Sequence, residues 1–125
     1  MLVVYFGNDT IKIRETANKF LREKEEAGAI IERIDADAFT AGILNDLAGA
    51  ASLFGEDPVY VLDTPSLQND FFDDVISNLE ALSASPNTFV IIEETMLAPE
   101  KKKFTKFASI IDEFKKTKTE RFNIF

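Results

Sequence analysis

Apolar residues along this chain alternate between short unbroken runs and stretches spaced three or four apart. That alternation predicts strands joined by crossover helices in a parallel sheet. Leu2 to Phe6 is an apolar run that stops at Gly7, as a strand buried on both faces would. A helix is predicted from Asp9, with Ile13, Ala17, Phe20 and Leu21 on one face, Asn8 or Asp9 as its cap and Gly28 as its stop. Ala29 to Ile34 predicts a second strand, and Phe39, Ile43, Leu44, Leu47 and Ala48 then recur at helical spacing, with Gly49 weakening the helix end.

Pro58 opens a third strand, Val59 to Leu62, where a missing amide is tolerated. Thr64-Pro65 reads as a cap and first-turn proline for a helix carrying Leu67, Phe71, Val75, Leu79 and Leu82. After a Pro86-Asn87 turn, Thr88 to Ile92 is the fourth and most hydrophobic strand. Pro99 begins a last helix with Phe104, Phe107, Ala108, Ile111 and Phe114 on one stripe, and Phe122 to Phe125 predicts a fifth strand. Ending within a strand, the sequence reads as a fragment of something longer. The expected architecture is a three-layer α/β domain, residues 1–125, with five parallel strands and helices on both faces.

Composition narrows the chemistry. A chain of 125 residues, 46% hydrophobic, encloses one core, and no internal repeat or flexible linker divides it. Cysteine and histidine are both absent. Thiol nucleophiles, thiolate metal sites, imidazole bases and imidazole ligands are therefore excluded. The opening residues lack the basic flank of a signal peptide, so a cytoplasmic location is expected. The net charge of -8 is uneven: thirteen carboxylates and no Lys or Arg lie between Arg33 and Lys101, while eight of fourteen basic residues follow from Lys101 onward. The middle of the chain is thus a poor surface for phosphate backbones, and the Lys101, Lys102, Lys103, Lys106 cluster reads first as the solvated face of a helix.

In open α/β sheets ligands sit at the carboxyl ends of the strands, which makes Gly7 to Lys12 the first place to look for chemistry. A phosphate-cradling loop needs several glycines and a Lys followed by Ser or Thr. This loop has one glycine and no such pair, and Asp9 stands where a phosphate would want positive potential. Asp63 after the third strand and Glu93-Glu94 after the fourth could join Asp9 around a metal, but without a phosphate loop they read as turn and cap residues. No catalytic residue, cofactor or metal is expected.

One further element, Ala50 to Glu56, places Leu53 and Phe54 side by side between small residues and a turn former. Paired large hydrophobes ordinarily pack inside. If exposed instead, they would form an anchor for a pocket on a partner.

These residues, in order, resemble the N-terminal domain of the delta subunit of the bacterial DNA polymerase III clamp loader. The resemblance rests on Gly7-Asn8-Asp9 after the first strand, Arg33-Ile34-Asp35-Ala36, Ser52-Leu53-Phe54-Gly55, Val59-Tyr60-Val61-Leu62, Thr88 to Glu93, and the lysine-rich helix from Lys101. It runs through all 125 residues, and Ser-Leu-Phe is its most specific piece. It implies a RecA-like domain of the AAA+ type, with a degenerate phosphate loop and no ATP hydrolysis of its own. It also implies a role in DNA replication within the polymerase III holoenzyme: Leu53 and Phe54, flanked by Ser52 and Gly55, would enter a hydrophobic pocket on the sliding clamp and help open the ring. The family's helical lid and collar domains, which join the other loader subunits, have no counterpart in this chain, and strong direct nucleic-acid binding is not expected of the domain itself.

Two rival readings come from other classes. A phosphoacceptor receiver domain also uses five parallel strands, with Asp9 and Asp63 in its acidic site, although no lysine ends the predicted fifth strand and no helix follows it. A degenerate NTPase scaffold would instead keep Leu53 and Phe54 in its core.

Overall fold

The computed structural model describes residues 1–50 and 58–116. Five strands, β1 (Leu2–Gly7), β2 (Ile30–Ile34), β3 (Pro58–Asp63), β4 (Thr88–Ile92) and β5 (Ile110–Phe114), form one sheet in the order β2-β3-β4-β1-β5, every pair parallel. The helices are α1 (Thr10–Glu26), α2 (Ile43–Gly49), α3 (Asn69–Ser77), α4 (Leu79–Ala84) and α5 (Ala98–Phe107). The expected three-layer α/β architecture is present.

The strand runs explain the layering. Side chains alternate across a strand, so Leu2, Val4 and Phe6 join Tyr60, Leu62, Phe89 and Ile91 on one face, while Val3 and Tyr5 join Val59, Val61, Val90 and Ile92 on the other. The first face is covered by α2 to α5 through Leu44, Phe71, Val75, Leu79, Leu82 and Phe104. Among the described residues, α1 alone lies on the second, through Ile13, Ala17 and Leu21. The central strands β3, β4 and β1 are buried along nearly their whole length, whereas β2, at an edge, is mostly exposed.

Local signals set most boundaries. Asp9 caps α1, its carboxylate accepting from the Lys12 amide at 3.1 Å. Gly28 follows the helix at φ +103°, a left-handed conformation that a glycine adopts without steric cost. Phe39 precedes α2 and stacks on Phe71 at 4.7 Å.

Three expectations change. The predicted third helix begins instead as a 3-10 turn, Pro65–Leu67. Thr64 does not cap it: its backbone is left-handed at φ 47°, its hydroxyl donates to Asp63, and Leu67 stands in solvent rather than in the core. Helix formation resumes at Asn69 and breaks again at Asn78, whose side-chain amide donates to the Asp74 carbonyl at 2.7 Å.

The last helix ends at Phe107 instead of reaching Phe114. Ala108 turns extended, the Ser109 amide donates to the Leu2 carbonyl at 2.8 Å, and Ile110–Phe114 then pairs with β1. Helical spacing of Phe107, Ile111 and Phe114 fits a strand equally well, since Ile111 and Phe114 fall on opposite faces; pairing with β1 decides between them. The fifth strand of the sheet is thus Ile110–Phe114, while the predicted strand at Phe122 to Phe125 lies outside the described residues.

This assignment also alters the receiver reading. Lys115 and Lys116 directly follow β5, so the missing lysine no longer counts against it. The strand order does: receiver domains have the order 2-1-3-4-5, and here β1 lies between β4 and β5.

Gly7 fixes the β1–β5 contact. It sits at φ +132°, and an added Cβ would come within 2.1 Å of the Phe114 carbonyl oxygen. Gly7→Ala should therefore cost on the order of 2–4 kcal/mol by combining backbone strain with a backbone clash. Chemical denaturation would measure it, and a loss below about 0.5 kcal/mol, the range of neutral surface changes, would refute the close-approach argument.

Candidate functional site

The carboxyl edge of the sheet brings together the acidic residues singled out from sequence. A cleft of about 230 Å³ is lined by Thr10, Ile13, Arg14, Thr64, Leu67, Ile92, Glu93 and Glu94. Asp63 is engaged from the neighbouring helix: Arg14 Nη1 and Nη2 donate to its two oxygens at 2.8 and 2.9 Å. This bidentate pair is the geometry in which guanidinium and carboxylate bond best, and Arg14 was not flagged by the sequence. An arginine one turn into α1 becomes informative only once β3 is known to lie near that helix.

Glu93 is 3% exposed. Its carboxylate accepts from the Ser66 amide and hydroxyl and from the Glu94 amide, so the 3-10 turn after β3 is tied to the end of β4. The Thr64 amide adds a bond to the Ile92 carbonyl at 2.8 Å. A β-branched residue in left-handed backbone costs about 1–3 kcal/mol, and these bonds hold it there.

At the first βα loop, the Asp9 carboxylate accepts the Lys12 amide, the Asp9 amide donates to the Phe114 carbonyl at 3.1 Å, and Asn8 Oδ1 accepts from the Lys116 amide at 2.8 Å. The loop is thus bonded to its own helix and to β5. Asp9, Asp63, Glu93 and Glu94 do not converge on a shared point: among the described residues, no group of three or more carboxylates is arranged to hold a metal ion.

The end of α2 and the start of β3, the described chain on either side of the other candidate element, lie at the opposite, amino edge. Leu53 and Phe54, with Ser52 and Gly55, lie outside the described residues. Their chain neighbours are well anchored. Asn87 Nδ2 donates to the Leu47 and Ala50 carbonyls at 2.8 and 3.0 Å, Ser85 Oγ donates to the Ala48 carbonyl at 2.7 Å, and Pro58 begins β3. The sequence marked Pro86-Asn87 only as a turn; its use as a clamp on the end of α2 is a long-range contact with no local signal.

The fold and these two edges define a three-layer α/β domain around a five-stranded all-parallel sheet. Among solved structures it is similar to the DNA clamp loader delta protein of Bacillus subtilis, with a TM-score of 0.66 and 16% sequence identity, covering 96% of this chain and 40% of that one. The chain therefore spans about two fifths of that protein's length. No protein-family model and no curated protein matches the chain. Among the described residues, no helix is long and apolar enough to cross a membrane.

Two predictions follow from the two edges. Burial raises the Glu93 pKa, against the opposing bonds from Ser66 and Glu94, whereas the hydrogen bond from Arg14 holds the Asp63 carboxyl below its ordinary value. A raised folded pKa means that the folded state binds the proton more tightly. Glu93 therefore contributes stability below its unfolded pKa, and that contribution is lost as pH rises through the folded value. Asp63 has the opposite sign: its contribution is present above the unfolded value and lost as pH falls through the folded one. Urea denaturation from about pH 2 to pH 7 should show that Glu93→Gln abolishes the loss on the rising side and leaves the acid-side loss intact. Superimposable pH profiles for the two proteins would contradict the assignment.

At the amino edge, Asn87→Ala leaves the Ala50 carbonyl without its donor and the Leu47 carbonyl with the Ala50 amide alone. The cost should be on the order of 1–3 kcal/mol, with faster amide exchange in α2. Unchanged exchange there would mean that Asn87 does not hold this end.

Proposed function

We propose that this chain is the clamp-binding domain of a clamp loader delta subunit, acting in DNA replication without hydrolysing ATP itself. The observation that carries this reading is the likeness in fold to a clamp loader delta protein over 96% of the chain. The Ser52-Leu53-Phe54-Gly55 motif, placed between α2 and β3, adds to it. In this reading the domain has no cofactor and no metal, and other loader subunits join through parts of the protein outside this chain.

The work is binding rather than bond making. A ring held by weak interfaces is biased toward an open state by any ligand with higher affinity for that state, and only the difference in affinity counts. Leu53 and Phe54 supply the apolar anchor. The Asn87 and Ser85 bonds to the end of α2, with β3 on the other side, give that anchor a fixed base, which reduces the ordering cost of binding. The bonds that occupy the first βα loop accord with a phosphate loop that has lost its function. The acidic surface sets orientation and encounter rate more than affinity.

The test is binding of the purified chain to the sliding clamp of its own organism, by surface plasmon resonance. Truncating a central aromatic anchor typically costs on the order of 2 kcal/mol or more, so Leu53→Ala/Phe54→Ala should weaken binding at least about 30-fold while melting like the wild type. Equal affinity of the two proteins would remove the role of the pair. Failure of the wild type to bind would leave the scaffold reading in its place.

A further inference from the structure

We propose that the outer face of α5, with Lys115 and Lys116 at the end of β5, contacts the phosphate backbone of a nucleic acid duplex. The inference rests on these lysines and not on the clamp reading.

The sequence shows a run of lysines; the structure shows how they are arranged. Phe104 faces the core, which turns Lys102 and Lys106 directly outward, one turn apart, with Lys101 and Lys103 on their flanks. Because β5 follows α5 and runs beside β1, its end brings Lys115 to the side of the sheet that α5 covers, with Lys116 next in the chain. Glu113 joins the two elements: its Oε1 lies 3.0 Å from Lys101 Nζ and its Oε2 3.8 Å from Lys115 Nζ. Among the described residues, Lys102, Lys103, Lys106 and Lys116 form no ion pair. Residues 98–116 carry six lysines against three carboxylates, Glu100, Asp112 and Glu113, within a protein whose net charge is -8.

The chemistry of the face selects its partner. A shallow groove of about 690 Å³ runs along α5, lined by Ala98, Pro99, Lys101, Lys102, Thr105 and Lys106. It contains no aromatic or arginine anchor of the kind that dominates protein interfaces, and lysine is depleted from such interfaces. Lysine instead suits phosphate as a hydrated point charge. Lys102 and Lys106 stand about 6 Å apart along the helix axis, and each DNA strand offers one phosphate per roughly 3.4 Å of duplex axis, so one face of α5 meets phosphates along a single strand. The neighbouring α3 and α4, on the same side of the sheet, carry Asp70, Asp73, Asp74 and Glu80. Their negative potential keeps a polyanion off α3 and α4 and confines its approach to the lysine face of α5. The contact is weak, salt-dependent and indifferent to sequence, because backbone contacts position a protein without reading bases.

Fluorescence anisotropy with a labelled DNA duplex, titrated with the chain at several salt concentrations, tests this. Binding should be measurable at about 50 mM salt and fall linearly in log affinity against log salt. Lys102→Ala/Lys103→Ala/Lys106→Ala should lower affinity at least about tenfold and flatten the salt slope by about 2 to 3. Lys12→Ala/Lys19→Ala/Lys24→Ala on α1 should leave both unchanged. Circular dichroism establishes that each variant is folded, and Lys102→Gln/Lys106→Gln, which keeps good helix formers, should show a partial loss. The proposal is overturned if the wild type does not bind, if the two triple variants lose affinity equally, or if the α5 variant binds like the wild type. Competition by poly-glutamate as strong as by unlabelled duplex would also overturn it, in favour of an acidic protein partner.

Discussion

The structure depends on burying β3, β4 and β1 on both faces at once. A strand covered on one side only can alternate apolar and polar residues; these three cannot, and their unbroken runs commit the chain to a helix layer on each side. Parallel pairing adds the requirement that every strand be followed by a crossover returning to the amino edge. As a result, the loops after β1, β3 and β4 gather at one edge, and the first residues of β3 and β4 lie at the other.

The two edges have different chemistry. At the carboxyl edge, polar groups that could serve a ligand are occupied by one another: Asp63 by Arg14, Glu93 by Ser66 and Glu94, and Asp9 by the first turn of α1. These bonds tie the loops after β1, β3 and β4 to α1 and to one another. At the amino edge, Ser85 and Asn87 spend their hydrogen bonds on the backbone of α2. That fixes the end of α2, at the border of the described residues.

Charge follows the same logic of layers. The helix layer formed by α2 to α5 is acidic over α3 and α4 and basic over α5, so one face of the molecule carries a field directed across it. Glu113 moderates that field where α5 meets β5, while the outward lysines stay in solvent.

How much was legible in the sequence follows from the range of the forces involved. The four strand runs Leu2 to Phe6, Ala29 to Ile34, Val59 to Leu62 and Thr88 to Ile92, the α1 cap at Asp9 and its stop at Gly28 were readable, because burial period and capping are local properties of neighbouring residues. The Ser-Leu-Phe motif was visible as a pattern, but its surroundings were not. Tertiary structure decided what local pattern left degenerate. The spacing of Ile111 and Phe114 after Phe107 fits a continued helix or a strand, and pairing with the open edge of β1 made Ile110–Phe114 into β5. Thr64-Pro65 looked like a helix start until the bond to Ile92 and the Asp63–Arg14 pair drew its backbone elsewhere. Strand order, the partners of Asp63 and Glu93, and the clamp that Asn87 places on α2 all join residues tens of positions apart, and no local spacing encodes which distant group will stand opposite.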